Sequence, residues 1–461
     1  MKKLRSMLYL LITFCFIGLT TTLDVSSIVF VILSQNDKVH AQRAEILKED
    51  LINQMKTHYH ARPEIHLCHE EFNSISSWTI LPLLPILDKL HSDTAKWIIF
   101  LEDYTAVDTR KLVMALEKYN HKQETWIGHS VHDNEATIIH HFAFHENPKS
   151  FKYPVIASGV AMSIPLIQRL MNKLKHEKLN SFTIDVAHEL ALFIGGEVPL
   201  KDEPTFCVQK NILCATFATE YQCCDIPMPK HSVYYAVKTC GKYHEDRVKV
   251  INETWRPHVA KIDFFSDTKD YNIPTIDIKI PNTERGHCQK SLSILHYVNK
   301  KIKNGELNAK WLVLADDDTI FSVSRLHTLL CCYDSSIPVA IGQKYGYNLL
   351  MGGGYSYLTG GAGIVFSIPA LKILTERCTC PSIDSPDDMI FGACLVKEGI
   401  DMVHSPAFHQ ARPMDYTSDY LAVPKPLSFH KHWNADPLQI YNTWFQKDDV
   451  SFSKMEIHDE L

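Results

Sequence analysis

From about residue 25 the chain alternates short apolar runs with longer stretches in which apolar positions recur every three or four residues. "SSIVFVILS" is dense in Val and Ile and reads as a buried strand. "KVHAQRAEILKEDLINQM" spaces Ala44, Leu47, Leu51 and Met55 along one face of a helix. "KWIIFLEDY" returns to strand and "TRKLVMALEKY" to helix. After residue 231 the same order restarts: strand "SVYYAVKT", helix "HEDRVKVINETW", strand "AKIDFFSD", helix "CQKSLSILHYVNKKI", strand "KWLVLADDD". Such alternation predicts an α/β fold with a largely parallel sheet, because parallel neighbours need a crossover.

The two series match residue by residue. "KWIIFLEDYTAVDTRKL" lies over "KWLVLADDDTIFSVSRL" at an offset of 214, which sets Trp97 on Trp311. "ASGVAMSIPLIQRL" lies over "GAGIVFSIPALKIL" at an offset of 204, which sets Ser163-Ile164-Pro165 on Ser367-Ile368-Pro369. Close to that offset, "TIDVAHELALFI" meets "SPDDMIFGACLV". Matched segments in one order predict two tandem Rossmann-like domains, 24–200 and 231–457, joined by a Cys- and Pro-rich linker at 201–230. The chemistry differs between them. Asp316-Asp317-Asp318 stand where the first copy has Glu102-Asp103-Tyr104, and "TGGAG" becomes "IASGV", which keeps only Gly159. Asp185 keeps a carboxylate near the position of Asp388. The first copy is therefore expected to be a degenerate domain that folds but does not catalyse.

The second copy carries the candidate chemistry. Three adjacent aspartates at the end of a buried strand repel one another and call for a cation or water. Ligands of open α/β sheets sit outside the carboxyl ends of strands, and residues i and i+2 share a side, so Asp316 and Asp318 can face one site. Carboxylates with open positions suit Mg²⁺ or Mn²⁺ on a diphosphate, and an added imidazole favours Mn²⁺. Gly360, Gly361 and Gly363 allow close backbone approach. Asp387 and Asp388 follow Pro386 at a helix start, where the dipole accounts for one acid and leaves the second as a general base. His430 and His432 alternate in an extended segment, so one points inward. Taken singly, these are an acidic turn, a cap and ordinary histidines. In one domain they indicate a metal–diphosphate site.

Composition narrows the setting. A net charge of -6 without a basic run excludes broad nucleic-acid binding. Lys2, Lys3 and Arg5 precede "MLYLLITFCFIGL", which has signal-peptide length and is short for a membrane span, so residues 1–23 are expected to be a signal. An uncleaved anchor would leave the remainder on the same side of the membrane. The chain ends in "HDEL", residues 458–461, the address read by the retrieval receptor of the endoplasmic reticulum. A soluble protein of that oxidising lumen is expected. Of 13 cysteines only Cys15 lies in the signal, so the remainder are compatible with up to six disulfides. "CTC" at 378–380 is expected to form disulfides rather than a metal site, and Asn252, the one sequon, to lie in a helix.

The second copy resembles the fringe-type β-1,3-glycosyltransferases through "VKTCGKYHEDRVKVINETW", "FFSDTKD", "WLVLADDDTIF", "YLTGGAGIVFS", "SPDDMIFG" and "FHKHW", in family order. The resemblance implies a GT-A-like fold for both copies and an inverting, metal-dependent transfer. It assigns Asp316 and Asp317 to the nucleotide sugar, and Asp318, Asp316 and His430 to Mn²⁺, with Asp318 a direct ligand. It makes Asp388 the base with Asp387 in support, sets Gly360, Gly361 and Gly363 beside donor and acceptor, and places Arg285 and Lys290 on the nucleotide. With its duplicated domain and "HDEL", the chain is most similar to the branch that moves glucose from UDP-glucose to O-linked fucose on folded thrombospondin type 1 repeats. The alternatives are another donor, UDP-N-acetylglucosamine or UDP-galactose, or a lumenal glycan-binding protein without turnover.

Overall fold

Two large mixed sheets carry the molecule in the computed structural model, which describes residues 23–459 except 73–77, 136–140, 142–143, 145, 178–179, 221–223, 225 and 350–352. The expected signal apart from Leu23, as well as Cys223 and Glu460-Leu461, lies outside the described residues. From edge to edge the first sheet runs Glu64–Leu67, Ile28–Leu33, Trp97–Glu102, Val160–Ser163, Trp126–Gly128, Lys201–Asp202. The second runs Thr275–Asp277, Ile262–Ser266, Val233–Lys238, Trp311–Asp316, Ile364–Ser367, Val339–Gly342, Asp401–His404. Apart from the extra edge strand at 275–277, the order is the same. Every residue of Ile28–Leu33 and Val233–Lys238 is buried. Strands covered on both faces need continuous apolar runs rather than alternation.

The register repeats as well. Trp97 stands opposite Ser163, and Trp311 opposite Ser367. Leu33 faces Glu102 where Lys238 faces Asp316. One expectation changes: Val160–Ser163 and Ile364–Ser367 run antiparallel to both neighbours, so the sheets are mixed. Between Val339–Gly342 and Ile364–Ser367 the chain forms the antiparallel pair Lys344–Tyr347 and Tyr355–Leu358 instead of a crossover helix, which lets the next strand enter reversed.

The expected linker at 201–230 is in part structural. Lys201–Asp202 forms the edge of the first sheet, and Thr216–Ala218 pairs with Thr105–Val107. Strands this short leave no periodic trace among Cys and Pro, so composition suggested a loop. Cys207–Cys214 staples this stretch, and Cys224–Cys331 ties it to the second half. Cys288–Cys380 and Cys378–Cys394 bear out the disulfide reading of "CTC". Cys332 is also disulfide-bonded, whereas Cys68 and Cys240 are buried and free, so six disulfides do not form. Asn252 lies in the helix Lys249–Glu253, as expected.

The halves are joined by backbone pairing. Phe182–Thr183 of the first half adds to Lys344–Tyr347 of the second, with Thr183 opposite Gly346 and Phe182 opposite Tyr347. Among the described residues no helix is long and apolar enough to cross a membrane.

Candidate active site

The strand Trp311–Asp316 delivers its terminal acids to a turn, and Thr319–Phe321 then pairs with Ser428–His430. That pairing sets His430 opposite Thr319 and brings together residues more than a hundred positions apart. Ligand atoms of Asp316, Asp318 and His430 all lie within 4.8 Å of one another. His430 Nε2 is 3.0 Å from Asp318 Oδ1 and 3.8 Å from Asp316 Oδ2. Its Nδ1 lies 3.1 Å from the Gln410 carbonyl, which accepts the Nδ1 proton and turns Nε2 toward the acids. Burial pushes the Asp318 carboxyl up, yet His430 and then Arg247 outweigh it and hold the group well below the usual carboxylate range. His432 falls outside the triad, and burial pushes its imidazole down to about 4.

Two cations that the sequence reading did not single out offset part of the acidic charge. Lys238, last residue of its strand, places Nζ 2.9 Å from Asp316 and 2.6 Å from Asp387. Arg247 Nη1 lies 2.9 Å from Asp317 and 3.0 Å from Asp318. Arg247 sits on the π turn His244–Val248, a distortion that recurs at functional sites. Asp317 also accepts from the Thr239 hydroxyl at 2.8 Å, and burial pushes its carboxyl up to about 6. The available signal for Lys238 was its charge at the end of the buried run "SVYYAVK".

Asp387 and Asp388 open the helix Asp387–Lys397. Pro386 occupies the N-cap position, and Cys378–Cys394 fastens the helix to its neighbour. The two acids face different surroundings. Burial opposes ionisation of Asp387, but Lys238 and Ser291 donate to its Oδ2 and hold its carboxyl low. Asp388 accepts from Met389 N at 2.7 Å, and burial together with Asp387 pushes it up to about 6. Neighbouring acids driven apart in this way provide one permanent anion and one proton acceptor matched to neutral pH.

The glycines serve specific neighbours. A Cβ on Gly361 would stand 2.4 Å from the His430 ring, and Gly363, at φ +87°, would place one 2.4 Å from Phe321. A Cβ on Gly360 would stand 4.0 Å from that of Asp388. A cleft of about 600 Å³ is lined by Lys238, Thr239, Arg247, Lys290, the three aspartates and His430. Lys290 is buried there and donates to the Thr239 carbonyl. Arg285 is not in the cleft wall: it is exposed and lies near Asp384. Next to it, Gly286 packs so closely on Asp384-Ser385 that a Cβ would come within 2.2 Å of the Asp384 carbonyl.

At the matching place in the first half, Leu33 replaces Lys238 and Ala218 replaces His430 by strand register. Ala157 replaces Gly361, so the residue that makes room for the imidazole and the imidazole itself are lost together. Glu102 is left without a lysine, and burial pushes it up to about 8. The remaining cavity is about 100 Å³ and is closed by Lys344, His404 and Tyr420 of the second half.

A family model described as Fringe-like matches residues 26–191 and 228–453. The chain is 46% identical to human "Beta-1,3-glucosyltransferase" over 441 residues, spanning 94% of this chain and 88% of the human protein. The mouse protein of that name is likewise 46% identical, over 94% of this chain and 89% of its own length. Zebrafish manic fringe, a "Beta-1,3-N-acetylglucosaminyltransferase", is 24% identical over 40% of this chain and 57% of its own. Sequence likeness across nearly the whole length thus coincides with an acid–imidazole cluster facing a cleft, and the chain belongs to the Fringe-like family of glycosyltransferases.

Proposed function

We propose that this β-1,3-glucosyltransferase moves glucose from UDP-glucose to the 3-hydroxyl of O-linked fucose on folded thrombospondin type 1 repeats, with inversion. The carrying observation is that Gly361 packs on His430 of the Asp316–Asp318–His430 cluster while the adjoining Gly360 lies near Asp388, whose carboxyl is raised. Two carboxylates and an imidazole with a fixed tautomer fit Mn²⁺, and Gly361 leaves the space that the imidazole needs. When bound, Mn²⁺ would supply charge neutralisation for the departing diphosphate. Asp388 takes the proton of the attacking hydroxyl. Asp387, held as an anion by Lys238 and Ser291, keeps Asp388 basic by repulsion. Attack on C1 from the face opposite the diphosphate turns an α-linked donor into a β-linked product in one displacement. Lys290 and Thr239 line the cleft proposed for the nucleotide.

The repeated strand order supports two tandem GT-A-like domains, the first including Lys201–Asp202 and Thr216–Ala218. With Leu33, Tyr104, Ala157 and Ala218 at the decisive positions, no transfer is assigned to the first. The basic, apolar leader and the terminal "HDEL" support residence in the lumen of the endoplasmic reticulum, maintained by its retrieval receptor. The test is a donor panel of UDP-glucose, UDP-N-acetylglucosamine and UDP-galactose with Mn²⁺ and an O-fucosylated thrombospondin repeat. Transfer of glucose alone is expected. Preference for another sugar would replace the donor, and absence of turnover with every donor would favour a glycan-binding role.

A further inference from the structure

The first half touches the second at a point that leads, bond by bond, to the metal triad. Gln35 lies just beyond the strand Ile28–Leu33, where the second half has the cleft-lining Thr239-Cys240. Its side-chain amide grips both backbone groups of His404: Nε2 donates to the carbonyl at 2.9 Å, and Oε1 accepts from the N–H at 2.7 Å. Oε1 also accepts from Lys344 Nζ at 3.2 Å. His404 ends the edge strand Asp401–His404, which has no strand neighbour on its outer side within its sheet. Gln35 thus supplies the pairing that the edge lacks.

From His404 the path continues inward. His404 Nδ1 accepts from Lys344 N at 3.0 Å. The adjoining Gln343 accepts from Gln410 N at 2.7 Å through Oε1, and from Thr359 N at 2.9 Å through its carbonyl. Gln410 Oε1 accepts from Ala362 N at 2.9 Å and from the Thr359 hydroxyl, which pins the glycine loop. The Gln410 carbonyl accepts the Nδ1 proton of His430. Gln343 and Lys344 are buried, so their polar groups cannot exchange these partners for water without cost, and a displacement at one end is transmitted.

We infer that Gln35 is a positioning residue for His430, so that the disused site of the first half braces the metal ligand of the second. The inference rests on reading Asp316, Asp318 and His430 as a Mn²⁺ site, and the test separates the two. Mn²⁺ binding in the presence of UDP is measured by calorimetry on the full chain, alongside Tm, for wild type, Asp318→Ala, Gln35→Ala, Gln35→Glu, Gln343→Ala and His129→Ala. His129 bonds Asp419 at 2.8 Å elsewhere between the halves and controls for simple loosening of the interface.

Gln35→Ala should weaken Mn²⁺ binding about three- to tenfold, the loss expected for one or two net hydrogen bonds. Gln35→Glu, which keeps the acceptor and loses the donor, should fall between that variant and wild type; it carries the comparison should Gln35→Ala not fold. Gln343→Ala should weaken binding at least as much as Gln35→Ala, and His129→Ala should stay within about twofold of wild type. If Asp318→Ala loses Mn²⁺ while both Gln35 variants keep wild-type affinity at a lowered Tm, Gln35 is an interface contact and the inference is overturned with the metal site intact. If wild type itself binds no Mn²⁺, the metal site fails first and the inference with it.

Discussion

Replacing Asp388 with Asn is the sharpest test of the reaction assigned to the site. The amide keeps the side-chain shape and can still accept from Met389 N, but has no oxygen basic enough to take a proton. A general base contributes roughly 10²- to 10⁴-fold, so kcat should fall by about that factor, or about 3–5 kcal/mol in the barrier. UDP release is followed with an O-fucosylated repeat at saturating UDP-glucose between about pH 5 and 8. Because burial and Asp387 push Asp388 up to about 6, wild-type kcat/KM should rise with pH through that value and level off above it. The variant should lose this limb as well as the rate. Stability responds to the same proton. Between 3.8 and about 6 the folded protein holds a proton at Asp388 that the unfolded chain has released. Stability therefore falls as pH rises through that window, by up to about 3 kcal/mol at 1.36 kcal/mol per pH unit. Asp388→Asn should then raise Tm near pH 7.5 and change it little near the unfolded value of 3.8. A variant retaining more than about a tenth of wild-type kcat, or a preserved acidic limb, would refute the assignment of the base.

Other perturbations test the surrounding framework. Lys238→Met leaves Asp316 and Asp387 buried without their shared ammonium, and denaturant melts should show a loss of about 3–5 kcal/mol, as for other broken buried pairs. Gly361→Ala drives a methyl into the His430 ring, and calorimetry should show Mn²⁺ affinity lowered about tenfold or more. Glu102→Gln in the first half should leave kcat/KM within about twofold, because Glu102 stands outside the Asp316–Asp318–His430 cluster. Since burial pushes Glu102 from 4.5 up to about 8, its stability deficit grows as pH rises through that range, and the Gln variant should be relatively more stable at alkaline pH in thermal melts.

Much of this site is legible in the sequence. An acid triplet ending an apolar strand, an acid pair at a helix start and an alternating histidine each break the local rule that buried elements carry few charges, and a glycine run interrupts the core element between them. The internal repeat sharpened this reading, since Tyr104 shows that the strand does not require an aspartate at the position of Asp318. Gln410 was not legible, because it meets His430 through a backbone carbonyl, which every residue has, and its side chain meets the glycine loop only through the fold. The short strand Thr216–Ala218 was missed because segments of three residues carry no period.

The chain by itself determined the long strands and helices, the repeated sequence pattern and the residue types of the reactive cluster, because burial and periodicity are local properties of a sequence. The tertiary structure alone decided which charges meet. Lys238 reaches Asp387 across 149 positions, Arg247 reaches Asp317 across 70, and Gln35 reaches His404 across 369. It also decided that Arg285 stands outside the cleft wall and that the strand Ile364–Ser367 runs reversed. Pairing energies depend on distance in space and on exclusion of water, and neither quantity can be read along the chain.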